Sequence, residues 1–408
     1  MSGSAGPLPG GVTAEQPAVR SGRPNVFKRV LQGDLASVRV LAVLAVIWLI
    51  FQTQNDRFLS ATNLTNLLLQ ITAVGLISVG VVYVLILGEV DLSVGAVSGL
   101  AAAVMAVLNV KHGWNPWLSI LAGVLTGLVI GLFQGGLSVY FSIPPFVITL
   151  AGLLAWQGAL LYVLGDTGTL NLTDDTIVNL ANKFFSDAAG WVIAVIVVAG
   201  YAGVALWGYR NRVSAQLADQ SLQPVVVRIA IVAVVTFGSL MVLNSDRGLP
   251  LAVIILLAFV VGMEFLLVRT AFGRKVLASG GNLEAARRAG INVNVVRSAV
   301  FGIAGTMAAI GGIMGASRLL AVNQNSGGSD LLLLAIAGPV IAGTSLYGGR
   351  GSVWSALLGA LVIGSISNGM DLLGYSSAVK FMVTGGVLLI AVIIDALARR
   401  QRQVQGRV

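Results

Sequence analysis

RTAFGRKVLASGGNLEAARRAGINVNVVR, residues Arg269 to Arg297, is strongly polar, yet it stands between two apolar runs long enough to cross a membrane, Leu251 to Val268 and Ser298 to Val322. Its centre carries helix punctuation. Asn282 precedes Leu283-Glu284-Ala285-Ala286-Arg287-Arg288-Ala289 and Gly290 closes the run. The order predicts a short helix with an Asn N-cap, an acid in the first turn, arginines in the last and glycine at C′. Such a helix between spans has two readings: a solvated surface helix, or a docking helix that passes force from a partner into the spans. These residues alone leave both open.

Working outward, the chain of 408 residues is 56% hydrophobic and only 10% charged, with a mean hydropathy of +0.91, which excludes an ordinary soluble globule. Apolar runs fall at Val38 to Gln52, Leu64 to Leu87, Leu92 to Leu108, Trp117 to Phe141, Phe146 to Leu164 and Trp191 to Tyr209. They continue at Val225 to Leu243, Leu251 to Val268, Ser298 to Val322, Leu331 to Leu346, Val353 to Leu373 and Val379 to Leu397. The expected fold is an all-α polytopic transmembrane bundle of about 10–12 membrane segments. Leu92 to Leu108 and Leu331 to Leu346, short and rich in Gly and Ala, are candidates for half-spanning or re-entrant elements. Small residues at every fourth position, as in Gly123, Gly127, Gly131 and Gly135 with Gly136 beside them, predict close helix approach and say nothing of a substrate.

The charge of +9 reads as topology, not as a nucleic-acid surface. With a cytoplasmic N-terminus, Arg210, Arg212, the whole 269–297 loop, Arg350 and the tail with Arg399, Arg400, Arg402 and Arg407 all fall inside, while the opposite loops hold mostly aspartates. Both termini are expected to be cytoplasmic. Residues 1–36, rich in Gly, Ser and Pro, read as a disordered cytoplasmic tail, 37–398 as the transmembrane domain and 399–408 as a basic cytoplasmic tail. Arginines and lysines before the first apolar run imitate a signal peptide, but no small-residue cleavage pattern follows Phe51, so an uncleaved first span is expected.

Catalysis finds little to work with. The chain has no cysteine and one histidine, His112, which excludes thiolate chemistry, His-based triads and His/Cys metal clusters. No lysine follows a glycine, so a phosphate-binding P-loop is absent and ATP-driven work requires a partner. The most unusual charges are Glu89 and Asp91, squeezed between apolar runs. Either Asp91 or Ser93 caps the next span while Glu89 reaches the headgroups, or the carboxylates take part in chemistry; a hinge role fits both. Asn368 and Asp371, clustered with Ser365 and Ser367, are candidates for a polar pathway, whereas Gln70, Gln134, Glu264, Arg318 and Lys380 read as snorkelling or interhelical bonding groups. Gly88–Gly95 and Gly348–Val353 each close one apolar run and open another, a faint internal likeness.

Three ordered motifs carry a resemblance. Gly88-Glu89-Val90-Asp91-Leu92-Ser93-Val94-Gly95 resembles a signature of the membrane permeases of bacterial monosaccharide ABC importers. Thr270–Lys275 with Gly280–Asn292 is similar to that family's cytoplasmic loop, and Ile341-Ala342-Gly343-Thr344-Ser345-Leu346-Tyr347-Gly348-Gly349-Arg350-Gly351-Ser352-Val353 to its glycine-rich turn. Within the family the chain resembles the xylose type, which has an extra hydrophobic stretch, here Trp191 to Leu243; the N-terminal tail departs from the pattern. The resemblance implies sugar import, best D-xylose, with ribose, arabinose, galactose or a small polar solute as alternatives and a proton-coupled transporter as the rival class. It implies that Asn282, Leu283, Glu284, Ala285, Arg287, Arg288 and Gly290 dock in a groove of an ATPase that binds ATP and magnesium, this chain binding no cofactor or metal itself. It makes Gly88, Glu89, Asp91, Ser93, Gly95, Gly343, Thr344, Gly348 and Gly349 signature and hinge positions. It further implies a permease homodimer in the inner membrane and an external sugar-binding protein docking on loops such as Gly165 to Asp187.

Overall fold

The computed structural model describes residues 35–216 and 221–404. The disordered tail expected over 1–36 lies outside the described residues up to residue 34, and Leu35 opens the first helix. In chain order the helices are α1 (Leu35–Gln54), α2 (Ala61–Ile86), α3 (Val94–Ala106), α4 (Pro116–Phe141), α5 (Pro145–Leu164), α6 (Asp175–Asn182), α7 (Asp187–Ser214) and α8 (Gln223–Asn244). They continue as α9 (Leu251–Arg269), α10 (Ala271–Gly281), α11 (Leu283–Arg288), α12 (Val293–Leu319), α13 (Ser329–Ile341), α14 (Trp354–Leu372) and α15 (Ser377–Val404). Among the described residues nine helices are long and apolar enough to cross a membrane, and 39–54, 330–341 and 377–390 are shorter apolar helical stretches.

The buried centre is α2 packed on α12, with α4 and α3 beside them. The every-fourth glycines of α4 serve this crossing: a Cβ on Gly127 would stand 2.2 Å from the Gly305 carbonyl oxygen and one on Gly131 2.1 Å from that of Phe301. Backbones in van der Waals contact replace the hydrophobic drive that lipid cannot supply. Gly136 faces open space instead. At the rim, α7 and α8 pair with each other and present most of their apolar surface outward, Ile196, Val204, Val234 and Met241 among it.

The two short-segment expectations part company. Leu92 to Leu108 becomes α3, which a π turn at Val107–Lys111 extends to a full crossing. Leu331 to Leu346 becomes α13, whose 13 residues span only about 20 Å at helical rise. Its missing length is made up by the loop before it, which dips against α3: a Cβ on Gly99 would stand 2.0 Å from the Ser326 carbonyl oxygen, and one on Gly95 2.8 Å from that of Gly327. The expected tail over 399–408 differs as well, since α15 runs on to Val404. Gly165 to Asp187, read as a loop, holds α6 and the strands β1 (Thr169–Asn171) and β2 (Phe184–Phe185). These pair antiparallel with β4 (Ala321–Asn323) and β3 (Leu249–Pro250) and close the face of the bundle opposite to 270–292.

Candidate functional site

Helix α9 ends at Thr270, whose Oγ1 accepts from Gly273 N at 3.2 Å and caps a new helix, α10. The sequence reading missed α10, although the cap and the i,i+4 pair Phe272 and Val276 were visible; Val276 is fully buried. Asn282 then caps α11 as expected, its Oδ1 accepting from Ala285 N at 2.9 Å. At the far end Gly290, at φ 80°, donates to Arg287 O and Ile291 N to Ala286 O, the Schellman pattern. Only Ala286 of α11 is buried. Leu283, Glu284, Arg287 and Arg288 all face outward, with Glu284 and Arg288 paired at 3.2 Å. Leu283 thus stands exposed on a charged helix of six residues that is capped at both ends.

Beneath it the three sequence motifs meet. Gly88 ends α2 at φ 78°, donating to Leu85 O while Glu89 N reaches Val84 O, and Gly343 ends α13 in the same way at φ 101°. The Gly88 and Gly348 turns pack on each other, and Gly349 N donates to Ile86 O at 2.8 Å. Into the same spot comes α10: a Cβ on Gly280 would stand 1.7 Å from the Ile86 oxygen and 2.9 Å from Gly349 N. Only a glycine lets the 270–292 segment touch both turns through bare backbone. The faint likeness of the two turns is thus a spatial pairing.

Carboxylates lock this junction. Glu89 does not reach toward headgroups; its Oε1 meets Arg297 Nη2 at 2.6 Å at the start of the second turn of α12, with side-chain exposures of 11% and 18%. Burial pushes the Glu89 carboxyl above its ordinary value, and the charge and hydrogen bond of Arg297 pull it back only in part. Glu264 on α9, read as a snorkelling group, accepts from Val353 N at 2.7 Å and from Ser352 Oγ at 3.1 Å, holding the start of α14. Asp91 is buried and caps no helix end by itself: its Oδ1 accepts from Ser93 N at 2.8 Å and from Ser93 Oγ at 2.7 Å. The Ser93 hydroxyl also lies 2.9 Å from Gln134 Oε1 on α4. One proton cannot serve both acceptors. Given to the carboxylate, it leaves Ser93 Oγ to accept from the Gln134 amide nitrogen with the amide turned over, which brings the amide oxygen toward the otherwise unpartnered Trp156 indole N–H. Both groups flank Gly152, whose Cβ would stand 2.1 Å from the Gln134 amide and 2.9 Å from the indole nitrogen.

Of the other expected positions, Thr344 is buried and shares a 2.6 Å hydrogen bond with Ser355 across the third motif. Asn368 lies away from the junction and is engaged in helix packing, its Oδ1 accepting from Asn63 Nδ2 at 2.8 Å. Asp371 pairs with Lys380. The sequence reading missed Arg297, Glu264 and Gly280 as site residues; the signals were a charge early in a long apolar helix for Arg297, a carboxylate inside an apolar run for Glu264 and a place in the second motif for Gly280.

Comparison with known proteins bears on the family of the chain. Residues 63–392 match the family model described as the branched-chain amino acid transport system / permease component. The chain is 38% identical to the xylose transport system permease protein of Escherichia coli over 89% of its own length and 92% of the relative's. It is 37% identical to the protein of that name from Haemophilus influenzae, over 89% and 96% of the two chains. The ribose import permease protein of Bacillus subtilis is 33% identical over 86% and 90%. No solved structure matches. A chain matched from its second helix nearly to its end, with the three motifs at one junction, belongs to the branched-chain amino acid transport system / permease component family, as a multi-pass protein of the inner membrane.

Proposed function

We propose that this chain is the permease subunit of an ATP-driven sugar importer, carrying a monosaccharide, best D-xylose, through the bundle while a separate ATPase binds ATP and magnesium. The observation that carries the reading is α11: a capped helix with Leu283, Glu284, Arg287 and Arg288 turned outward, standing on the junction of all three motifs. The ATPase receives this helix in a groove, Leu283 seated in an apolar spot and the charges at its rim. Closure of two ATPase subunits then displaces α10 and α11, and the spans from α12 onward tilt to open the path alternately to each side. The 270–292 face is cytoplasmic and so are both termini, since arginines concentrate on that side. Two copies of the chain form the pathway, and an external sugar-binding protein docks near Gly165–Asp187 and supplies most of the selectivity. Ribose, arabinose, galactose or another small polar solute is the alternative cargo, the ribose permease relative being the reason to include it in a screen.

The test is sugar-dependent uptake in vesicles holding the chain, its ATPase and its binding protein, comparing wild type with a variant combining Glu284→Arg and Arg287→Glu. Uptake that needs internal ATP and collapses in the variant, with the ATPase no longer co-purifying, supports the reading. Uptake by this chain alone, insensitive to the substitutions and abolished by dissipating the proton gradient, overturns it in favour of a proton-coupled carrier.

A further inference from the structure

Residues 270–292 enter through α9 and leave through α12, and each stem is tied by one carboxylate to a different turn of the junction. On the entering stem Glu264 holds Ser352 and Val353, which open α14. On the leaving stem Arg297 holds Glu89, in the turn that opens α3. The ties differ in completeness. Glu264 has both oxygens within hydrogen-bonding reach of donors on Ser352 or Val353. The Glu89–Arg297 contact is end-on through Nη2 alone, and Glu89 Oε2 and Arg297 Nε are buried with no partner.

A guanidinium and a carboxylate have a second arrangement, a side-on fork in which Nε and Nη2 each donate to one oxygen. The fork satisfies both orphaned atoms, so the pair taken by itself favours it. Arg297 stands on α12 and Glu89 in the 88–93 turn, and upstream of α12 Gly280 of α10 packs on the Ile86 carbonyl just before that turn. We propose that Glu89 and Arg297 form a two-position latch of the transport cycle, end-on in the state seen here and forked in the other, switched by displacement of α11. The proposal rests on the coupling reading of α11. Forking draws the 88–93 turn along with α12, and the Asp91–Ser93 bonds pass the shift to the start of α3, at whose next glycines the 326–328 loop is seated. Glu264, with a donor in reach of each oxygen, keeps α14 moving with α9. Arg297 is in this sense a positioning residue, acting on the path through Glu89.

The experiment uses vesicles holding the full chain with its ATPase and binding protein, with uptake and ATP hydrolysis measured together. Arg297→Lys keeps the charge and cannot form the fork. The expected result is normal co-purification of the ATPase with ATP hydrolysed per sugar moved rising about ten-fold. An unchanged ratio, whether uptake is normal or falls in parallel with hydrolysis, overturns the latch. A second measurement does not depend on that variant folding: because the chain has no cysteine, Val90→Cys with Asn294→Cys places two spin labels beside the pair. A label separation that changes by about 2 Å or more between nucleotide-free and ATP-bound complexes supports the latch, and an unchanged separation overturns it. Failure of the wild-type chain to bind any ATPase would instead remove the coupling reading beneath it.

Discussion

Replacing Gly280 with alanine tests the junction most directly, because its neighbour Gly281 is a built-in control. The three atoms nearest to a Cβ on Gly280 are all backbone, Ile86 O at 1.7 Å, Ile86 C at 2.8 Å and Gly349 N at 2.9 Å, so rotating a side chain cannot relieve these contacts. Carbon–oxygen contacts normally begin at about 3.3 Å, so α10 must retreat by about 1.5 Å. Overpacking of that kind costs about 1–3 kcal/mol. The retreat also strains the bond from Gly349 N to Ile86 O, and a buried amide left unpaired costs about 1–3 kcal/mol more. Alanine in a helix recovers about 0.5–1 kcal/mol of backbone entropy, so the net loss is about 1–5 kcal/mol. A Cβ on Gly281 meets nothing within 4 Å, so there only the favourable part remains. Unfolding of the detergent-solubilised protein, followed by tryptophan fluorescence, should therefore put the two alanine variants on opposite sides of wild type. Their difference is about 2–6 kcal/mol, roughly thirty-fold or more in the folded-to-unfolded ratio. In vesicles Gly280→Ala should also lose ATP-driven uptake. Equal stability of the two variants would refute the backbone contact as described.

Three further outcomes follow from the same geometry. Glu264→Ala leaves Val353 N–H and the Ser352 hydroxyl without their charged acceptor and should lower unfolding stability by about 1.5–3 kcal/mol, while Glu264→Gln, which keeps an acceptor oxygen, should lose less than half of that; equal losses would show that the negative charge, not an acceptor oxygen, is what the junction requires. Asn282→Ala removes the bond to Ala285 N and weakens α11 by about 1 kcal/mol, which hydrogen exchange should register as faster exchange across 285–288 with little change in α12. The third outcome is pH dependence. Because burial raises the Glu89 carboxyl, the folded chain binds its proton up to a higher pH than the unfolded chain does. Stability from this group is thus fully present below the ordinary carboxylate value and falls as pH rises to the raised one. Glu89→Gln cannot titrate, so the wild-type advantage over it should shrink with rising pH across that window; an advantage that grows there would mean that Arg297, not burial, dominates.

Much of the molecule is determined by composition and local order. Runs of apolar residues long enough to span lipid must be helical, since unpaired backbone in hydrocarbon is too costly, and the twelve runs each return as a helix. The caps of α11 are equally local: Asn282 and Gly290 act within one turn of themselves, so their reading needs no tertiary partner. Motif likeness likewise marked Gly88–Gly95, Gly280–Asn292 and Ile341–Val353 as functional stretches without saying why. Only the tertiary structure decided that these three stretches touch. Glu89 and Arg297 lie far apart in the chain, as do Glu264 and Val353, and a helical period tells which face of a helix is apolar but not which helix will face it. That choice is made by packing, where glycines such as Gly127, Gly131 and Gly280 set how near two backbones come and in which register. Periodicity and caps act over a turn or two, while pairing of distant charges depends on the simultaneous placement of every helix between them, and for that reason the fold class was legible and the junction was not.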